Sequence, residues 1–205
     1  EASRRSPGHA HLCIAWLTTI PTGRYVGRMT PAEHIERGTA RVRLLDASLD
    51  VIRAKGLAGT SVDDLCLAAG VSKGAFFHHF DTKEDLAVAA ANHWSSTTGE
   101  MFAAAAYHQL PTAAERVLAY LDLRDALVVG PTAAFTCLAG TMVQEVYATN
   151  PAIRVACGHS ILGHAATLEA DLDQALADAG SPAGVTAAGL ALYTQVVLQG
   201  AFVVA

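Results

Sequence analysis

The sequence is poor in cysteine and in charge, and each shortage disfavours a class of protein. Only four cysteines, Cys13, Cys66, Cys137 and Cys157, occur among 205 residues, and no two of them form a C-x-x-C pair. A disulfide-stabilised secreted scaffold and a zinc ribbon are therefore both disfavoured. We expect reduced thiols and a cytoplasmic protein that needs no cofactor or metal.

Charged residues make up 16% of the chain, and the net charge is −5. A surface that is basic all over and coats nucleic acid is thus disfavoured, whereas DNA binding through one small face is not. Residues 1–28 hold four basic and one acidic residue, residues 29–95 seven and nine, and residues 96–205 three and nine. Because the second half repels phosphate, any contact with nucleic acid is expected in the first half.

Long hydrophobic runs are scarce except at the C-terminal end. Residues 179–205 contain no charged residue, and a run of that length could span a bilayer. Thr186 and Gln195 interrupt it, however, while Gly189 and Gly200 allow close helix contact. We therefore expect a helix buried in a subunit interface and no membrane contact, with a membrane-tethered protein as the alternative.

The apolar residues repeat with helical spacing, and no strand-like alternation is found. Leu45, Leu49 and Ile52 predict a helix over residues 40–55 that ends at Gly56. Further helix starts are predicted at Ser61 with Asp64, at Ser72, at Asp81 with Glu84, at Thr112 with Glu115, and at Asn150 with Pro151. Continuous helices are expected over residues 132–148 and 150–180, and a last helix from Thr186. The sequence therefore predicts an all-α fold.

Two of the predicted helices are short and lie on either side of a tight turn at Gly70. Two helices joined in this way form a helix-turn-helix, in which the second helix enters the major groove of DNA. The spacing places Phe76 and Phe80 inward and leaves Lys73 and Phe77 on the outer side. Helix starts expose free N–H groups that favour anions, so phosphate contacts are expected at several of these caps.

The run G-V-S-K-G-A-F-F-H-H-F-D-T-K-E-D-L, with the helix before it, resembles the DNA-binding domain of TetR-family (tetracycline-repressor-like) transcriptional regulators over about residues 41–86. Thr60 or Ser61, Ser72, His79 and Lys83 match the positions that contact phosphate in that family, and Lys73, Gly74, Ala75, Phe77 and His78 match its reading helix. The family often has Tyr at the position of Phe77. Without that hydroxyl, Phe77 is expected to pack on a sugar or a thymine methyl group.

The resemblance implies an N-terminal three-helix DNA-binding domain and a C-terminal helical domain for ligand binding and dimerisation. We assign residues 1–36 to a poorly ordered or non-native extension, residues 37–82 to the helix-turn-helix domain, and residues 83–205 to the effector and dimerisation domain, with a truncated C-terminus. The implied function is that of a homodimeric repressor, released from a palindromic operator in double-stranded DNA by a small-molecule inducer.

The inducer is expected to be apolar or aromatic, because the candidate pocket residues are of that kind. These residues are Trp94, Phe102, Tyr107, Phe135, Cys137, Met142, Tyr147, His164 and Tyr193. Each also fits an ordinary core position, and Cys137 fits a buried inert thiol better than a sensor. An enzyme with an appended helix-turn-helix is the rival hypothesis, but no Ser-His-Asp order, metal-ligand cluster or phosphate loop supports it.

Overall fold

The computed structural model describes residues 39–204, which are helical with no strand among them. The predicted extension over residues 1–36 lies outside the described residues. The helices are α1 (Ala40–Lys55), α2 (Val62–Ala69), α3 (Lys73–His79), α4 (Lys83–Ala103), a 3-10 helix (Ala106–Gln109), α5 (Ala113–Ala126), α6 (Thr132–Phe135), α7 (Leu138–Val146), α8 (Pro151–Ala166), α9 (Glu169–Asp178) and α10 (Ala187–Val204). The prediction of an all-α fold is confirmed.

Helices α1 to α3 pack around a shared apolar core. Ile52 of α1, Leu65 of α2 and Phe76 of α3 are fully buried. Phe80, directly after α3, belongs to the same core, and its ring centroid lies 5.8 Å from that of Phe76. Because α3 uses this side for packing, its opposite side remains in solvent.

The same core continues into the C-terminal half of the protein. Leu86 of α4, Met142 of α7 and Cys157 of α8 are buried in it. A hydrogen bond of 2.7 Å between His93 Nε2 and Asp46 Oδ1 also joins α4 to α1. Since interiors are densely packed and deform little, a shift of α4 or α7 would be transmitted to α1.

Helix α4 begins with a different cap from the one expected. The N-cap is Thr82, whose hydroxyl accepts a hydrogen bond from the Asp85 N–H, while the Asp85 carboxylate accepts one from the Thr82 N–H. The predicted pair, Asp81 with Glu84, is exposed. Both pairs have the three-residue interval of a capping box, but only the observed one has a Thr hydroxyl at the cap, as that motif requires.

We expect Thr82→Ala to lower the free energy of unfolding by about 1 kcal/mol, because one N–H at the start of α4 loses its partner. Asp81→Ala is the matched control, and a change below about 0.5 kcal/mol is expected there. Urea unfolding of both variants at one protein concentration checks this. A larger loss in Asp81→Ala than in Thr82→Ala would contradict the assigned cap.

Two helices predicted to be continuous are interrupted. The stretch over residues 132–148 is split at Thr136, whose backbone is extended (φ −64°, ψ 154°). The stretch over residues 150–180 is split after Thr167, whose hydroxyl donates a hydrogen bond of 2.7 Å to the carbonyl of His164. A Thr hydroxyl offers the backbone such an alternative partner. The spacing of apolar residues does not reveal a bond of this kind.

A second apolar cluster fills the interior between the end of α4 and helices α5, α8, α9 and α10. Its buried members include Phe102 of α4, Tyr120 of α5, Leu172 of α9 and Ala191 of α10. The cluster is separate from the core that surrounds α1 to α3. The C-terminal half therefore has an interior of its own.

Within the described residues, α10 is long and apolar enough to cross a membrane. It has 18 residues and a mean hydropathy of 1.6, and 11% of it is buried. An apolar helix that packs against another protein chain has the same length and composition. The described residues therefore leave most of α10 uncovered.

Candidate nucleic-acid interface

Helix α3 presents its predicted outer side to solvent. The exposed residues of this side are Lys73, Gly74, Phe77 and His78. Phe77 is 54% exposed, and its ring meets that of buried Phe76 edge to face with centroids 5.1 Å apart. An aromatic ring held in this way in water can contact the apolar edge of a base or a sugar without rearrangement.

The turn before α3 is built from Gly70 and Ser72. Gly70 has φ 62° and ψ 40°, a left-handed conformation that costs glycine little. The Ser72 hydroxyl accepts a hydrogen bond of 3.1 Å from the Ala75 N–H and starts the helix. A Cβ added to Gly74 would have the Ser72 hydroxyl, at 3.7 Å, as its nearest neighbour, so the outer side of the first turn is open.

The starts of α2, α3 and α4 are each capped by a hydroxyl, that of Ser61, Ser72 or Thr82. At Ser61 and Thr82 an acidic side chain, Asp64 or Asp85, also bonds back to the cap. The start of α3 at Ser72 has no acidic residue in its first turn. Because a carboxylate already neutralises the partial positive charge of a helix start, the start of α3 is the most favourable of the three for phosphate.

Two lysines near these starts form ion pairs. Lys73 Nζ lies 2.8 Å from Asp63 Oδ1, and Lys55 Nζ lies 2.6 Å from Asp64 Oδ1. Hydrogen bonding to Asp63 raises the pKa of Lys73. The pKa of Asp64 is lowered, first by Lys55 and then by Ser61. Exposed pairs of this kind contribute little stability, so phosphate can compete for the Lys73 ammonium.

Two predicted phosphate contacts are placed differently from expectation. Thr60 is 2% exposed, and its hydroxyl donates a hydrogen bond of 2.6 Å to the Gly56 carbonyl. Lys83 Nζ donates to the carbonyls of Leu57 and Thr60, at 2.9 Å each. Both side chains hold the loop between α1 and α2 instead of facing solvent. Of the alternatives Thr60 and Ser61, only Ser61 is exposed.

The two histidines at the end of α3 differ in exposure. His78 is exposed on the outer side of α3, and His79 is partly covered. Their rings meet edge to face with centroids 4.8 Å apart. His78 is thus accessible from outside the protein, while a base contact by His78 and a phosphate contact by His79 both stay predictions.

The nine residues predicted to line an effector pocket do not come together. Phe102, Tyr107 and His164 lie in or against the second apolar cluster, whereas Trp94, Cys137 and Met142 lie in or against the core around α1 to α3. Phe135 packs against Phe202, and Tyr147 and Tyr193 are 64% and 65% exposed. Residue type alone cannot assign an apolar side chain to one of two interiors or to an outer face. The first three residues remain candidates.

Sequence reasoning missed three residues that lie in or beside the second apolar cluster. Tyr120 is 1% exposed, and its hydroxyl lies 3.0 Å from His164 Nε2. The Gln195 amide donates a hydrogen bond of 3.2 Å to the same hydroxyl, and Arg124 lies 5.3 Å from the Phe102 ring centroid. Tyr120 is an aromatic residue of the C-terminal half, so a list of all aromatic residues in that half would have included it. Gln195 carries no such signal.

The neutral form of His164 is favoured in the folded protein. Burial, and then the charge of Arg124, lower its pKa from 6.5 to about 4. This agrees with the hydrogen bonds, because a Tyr120 hydroxyl that accepts from Gln195 can donate its own proton to a bare His164 Nε2. A polar contact made by His164 would thus be that of a neutral ring.

The lowered pKa predicts how stability depends on pH. The unfolded His164 binds a proton near pH 6.5 and the folded one only near pH 4, so stability falls as the pH falls through this window. We expect the free energy of unfolding of the wild type to drop by about 2 kcal/mol more than that of His164→Gln between pH 7 and pH 5. Urea unfolding at both pH values measures this difference in stability loss. His159→Gln, on the exposed side of α8, is the control for removing a histidine. Equal losses in wild type and His164→Gln would refute the assignment.

An open groove of about 480 Å³ lies between α4 and α8. Val88 and Asn92 of α4 and Val155 and His159 of α8 line part of it. None of the nine predicted pocket residues lines this groove. It is a feature of the surface and not of the second apolar cluster.

Comparison with known proteins finds similarity in the region that holds these features. The family model for bacterial regulatory proteins of the tetR family matches residues 44–90. The HTH-type transcriptional regulator CymR of Pseudomonas putida is 51% identical over 47 residues, 23% of either chain. The HTH-type transcriptional regulator BetI of Paraburkholderia phymatum is 32% identical over 100 residues, 46% of this chain and 50% of that one. The chain therefore spans from about a quarter to half of the length of these curated relatives.

The likeness of fold extends further than the likeness of sequence. The crystal structure of regulatory protein TetR from Rhodobacter sphaeroides superimposes with a TM-score of 0.72 at 22% identity, over 81% of this chain and 88% of that one. At this identity the match shows the fold, which the C-terminal half shares. The region over residues 44–90 therefore matches the tetR family, and the described residues share the fold of this regulatory protein.

Proposed function

We propose that this protein is a ligand-responsive transcriptional regulator that binds double-stranded DNA through α3. The observation that carries the proposal is the outer side of α3, where an exposed Phe77 stands beside Lys73 and His78 at an open first turn. A soluble protein gains no stability from leaving a large ring in water, so a partner surface accounts for it. Lysine, histidine and an apolar ring are suited to base edges and the thymine methyl group.

The proposed regulator is a homodimer that uses the outer faces of α8 and α10. On α10 the exposed positions follow helical spacing, with Leu192, Tyr193, Val196, Val197, Val203 and Val204 between 46% and 86% exposed. On α8, Val155 and Leu162 are 53% and 55% exposed, and the two helices contact each other. A two-fold interface would cover both stripes at once and give two reading helices about 34–36 Å apart, one turn of B-DNA.

A membrane surface would cover the same stripe of α10, and it is the competing explanation. Sedimentation with and without phospholipid vesicles distinguishes the two. We expect the protein to stay in the supernatant as a dimer, in keeping with a cytoplasmic regulator. Pelleting with the vesicles would favour the membrane instead.

The effector is proposed to bind at the second apolar cluster, near Phe102, Tyr107 and His164. The ring faces there suit an apolar or aromatic small molecule, and the Tyr120 hydroxyl offers a polar contact.

Binding of the effector would shift α4 or α7 and change the separation of the two reading helices, so that a repressor leaves its operator. A preference of about 1–3 kcal/mol for one of the two states is sufficient. No enzymatic activity is proposed.

Selection of bound duplexes from a random DNA pool tests the proposed function. A dimer with two reading helices should enrich a palindrome whose half-sites lie one or more helical turns apart. The protein is used at full length, and recovered sequences are re-tested by fluorescence anisotropy. If no sequence is enriched and the protein binds no duplex at low salt, DNA binding is not its function.

A further inference from the structure

The loop between α1 and α2 is held by a carboxylate from the C-terminal half. Glu145, near the end of α7, accepts a hydrogen bond of 2.8 Å from the Leu57 N–H on Oε1 and one of 2.7 Å from the Ala58 N–H on Oε2. Both oxygens of one side chain thus bind consecutive backbone groups of the DNA-binding domain. Hydrogen bonds to an ionised acceptor are stronger than neutral ones, and this pair also fixes an orientation.

The remaining groups of the loop are arranged to keep it in this position. The Lys83 ammonium donates to the Leu57 and Thr60 carbonyls, so opposite charges bind the donors and the acceptors of one short loop. Gly56 has φ 75°, and a Cβ there would lie 2.6 Å from Glu145 Oε1. Only glycine leaves room for the carboxylate at this point.

Helix α7 connects this loop to the far side of the molecule. Met142, one turn before Glu145, is fully buried in the main core. Near the start of α7, a Cβ at Gly140 would overlap Oε1 of Gln199 on α10. The helix thus contacts α10 closely near one end and is hydrogen-bonded to the DNA-binding domain near the other. A movement of α7 would change both contacts together.

We propose that Glu145 is a positioning residue that sets the orientation of the DNA-binding domain against the effector half. The inference rests on the proposed function as a two-site DNA-binding regulator. Glu145 touches no DNA in this proposal. It fixes where α3 stands relative to the dimer axis, so its loss affects the simultaneous use of two half-sites and not the contact with one.

The test compares Glu145→Ala with Glu100→Ala, which removes the same charge from an exposed position on α4. Affinity is measured for a palindromic duplex selected with the wild type and for a duplex that carries a single half-site. For Glu145→Ala we expect the palindrome to be bound on the order of 10-fold more weakly, with the half-site affinity unchanged. Glu145→Gln, which keeps one acceptor oxygen, should recover part of the loss.

Hydrogen exchange provides the second readout, because the two bonded amides are known. In Glu145→Ala the amides of Leu57 and Ala58 should exchange about 10-fold faster, while those in the middle of α1 stay protected. Equal weakening on palindrome and half-site would show general destabilisation and overturn the proposal, as would unchanged palindrome affinity. A wild type that binds no duplex would instead contradict the proposed function. The failure of the Glu145 proposal and the failure of the proposed function are therefore distinguishable.

Discussion

Gly74→Glu is expected to weaken DNA binding by about 100-fold, close to 3 kcal/mol. The new carboxylate would stand on the outer side of the first turn of α3, where it faces phosphates and the acceptor edges of bases. The fold should not suffer, since a Cβ at this position has free space. Glutamate in a first helical turn is favoured over glycine by about 1 kcal/mol. Stability and function should therefore change in opposite directions.

Gly99→Glu is the matched control for this prediction. Gly99 lies on an exposed part of α4, where an added Cβ would meet nothing within 4 Å. It adds the same charge to the protein, so the general repulsion of DNA is equal in both variants. Fluorescence anisotropy with the selected duplex measures the affinities, and thermal unfolding the stabilities. Similar DNA affinities for the two variants would show that α3 does not lie in the DNA interface.

Val196→Glu should convert the proposed dimer into a monomer and lower the affinity for a palindromic operator at least about 100-fold. Val196 is 61% exposed in the middle of the α10 stripe, so the monomer fold should tolerate the change. In a dimer interface the carboxylate would be buried without a partner. With the dimer lost, the second half-site no longer binds within the same complex, and that linkage is worth 10²- to 10⁴-fold.

Val129→Glu serves as control, because Val129 is 59% exposed on the segment after α5, outside the two stripes. Sedimentation equilibrium gives the mass, and the same duplexes as above give the affinities. The half-site affinity of Val196→Glu should equal that of the wild type. A dimer that persists in Val196→Glu would place the interface elsewhere on the molecule.

The sequence was most informative where one short motif determines local structure. Gly70 and Ser72 predict the turn and the start of α3, because a left-handed residue and a hydroxyl cap each have few substitutes. Phe76 and Phe80 predict the buried side of α3, since two residues four positions apart lie on the same side of a helix. The exposed outer side of α3 followed directly from these two constraints.

The candidate site was less predictable where side chains act over long distances along the chain. Lys83 could be identified as a conspicuous cation, but the carbonyls that bind its ammonium come from residues more than 20 positions away. Glu145 was not predicted at all, because its partners lie 87 and 88 positions earlier. Periodicity describes one helix at a time and does not specify which loops the helix touches.

The C-terminal half shows the same limit in another form. Its aromatic residues occupy helical positions that would suit an interior, a pocket or a subunit interface equally well. Tyr193 was predicted to line a pocket, yet it stands on the exposed stripe of α10 beside Val196 and Val197. Which interior an apolar residue joins depends on how α5, α8, α9 and α10 pack together, and composition does not encode that arrangement.

Hydrogen exchange of the full-length wild type, with and without the selected duplex, tests the central claim most directly. If α3 enters the major groove, the amides at residues 71–79 should become strongly protected when DNA binds, and those of α5 should not change. Protection confined to the C-terminal half, with exchange in α3 unaltered by bound DNA, would contradict the assignment of α3 as the reading helix.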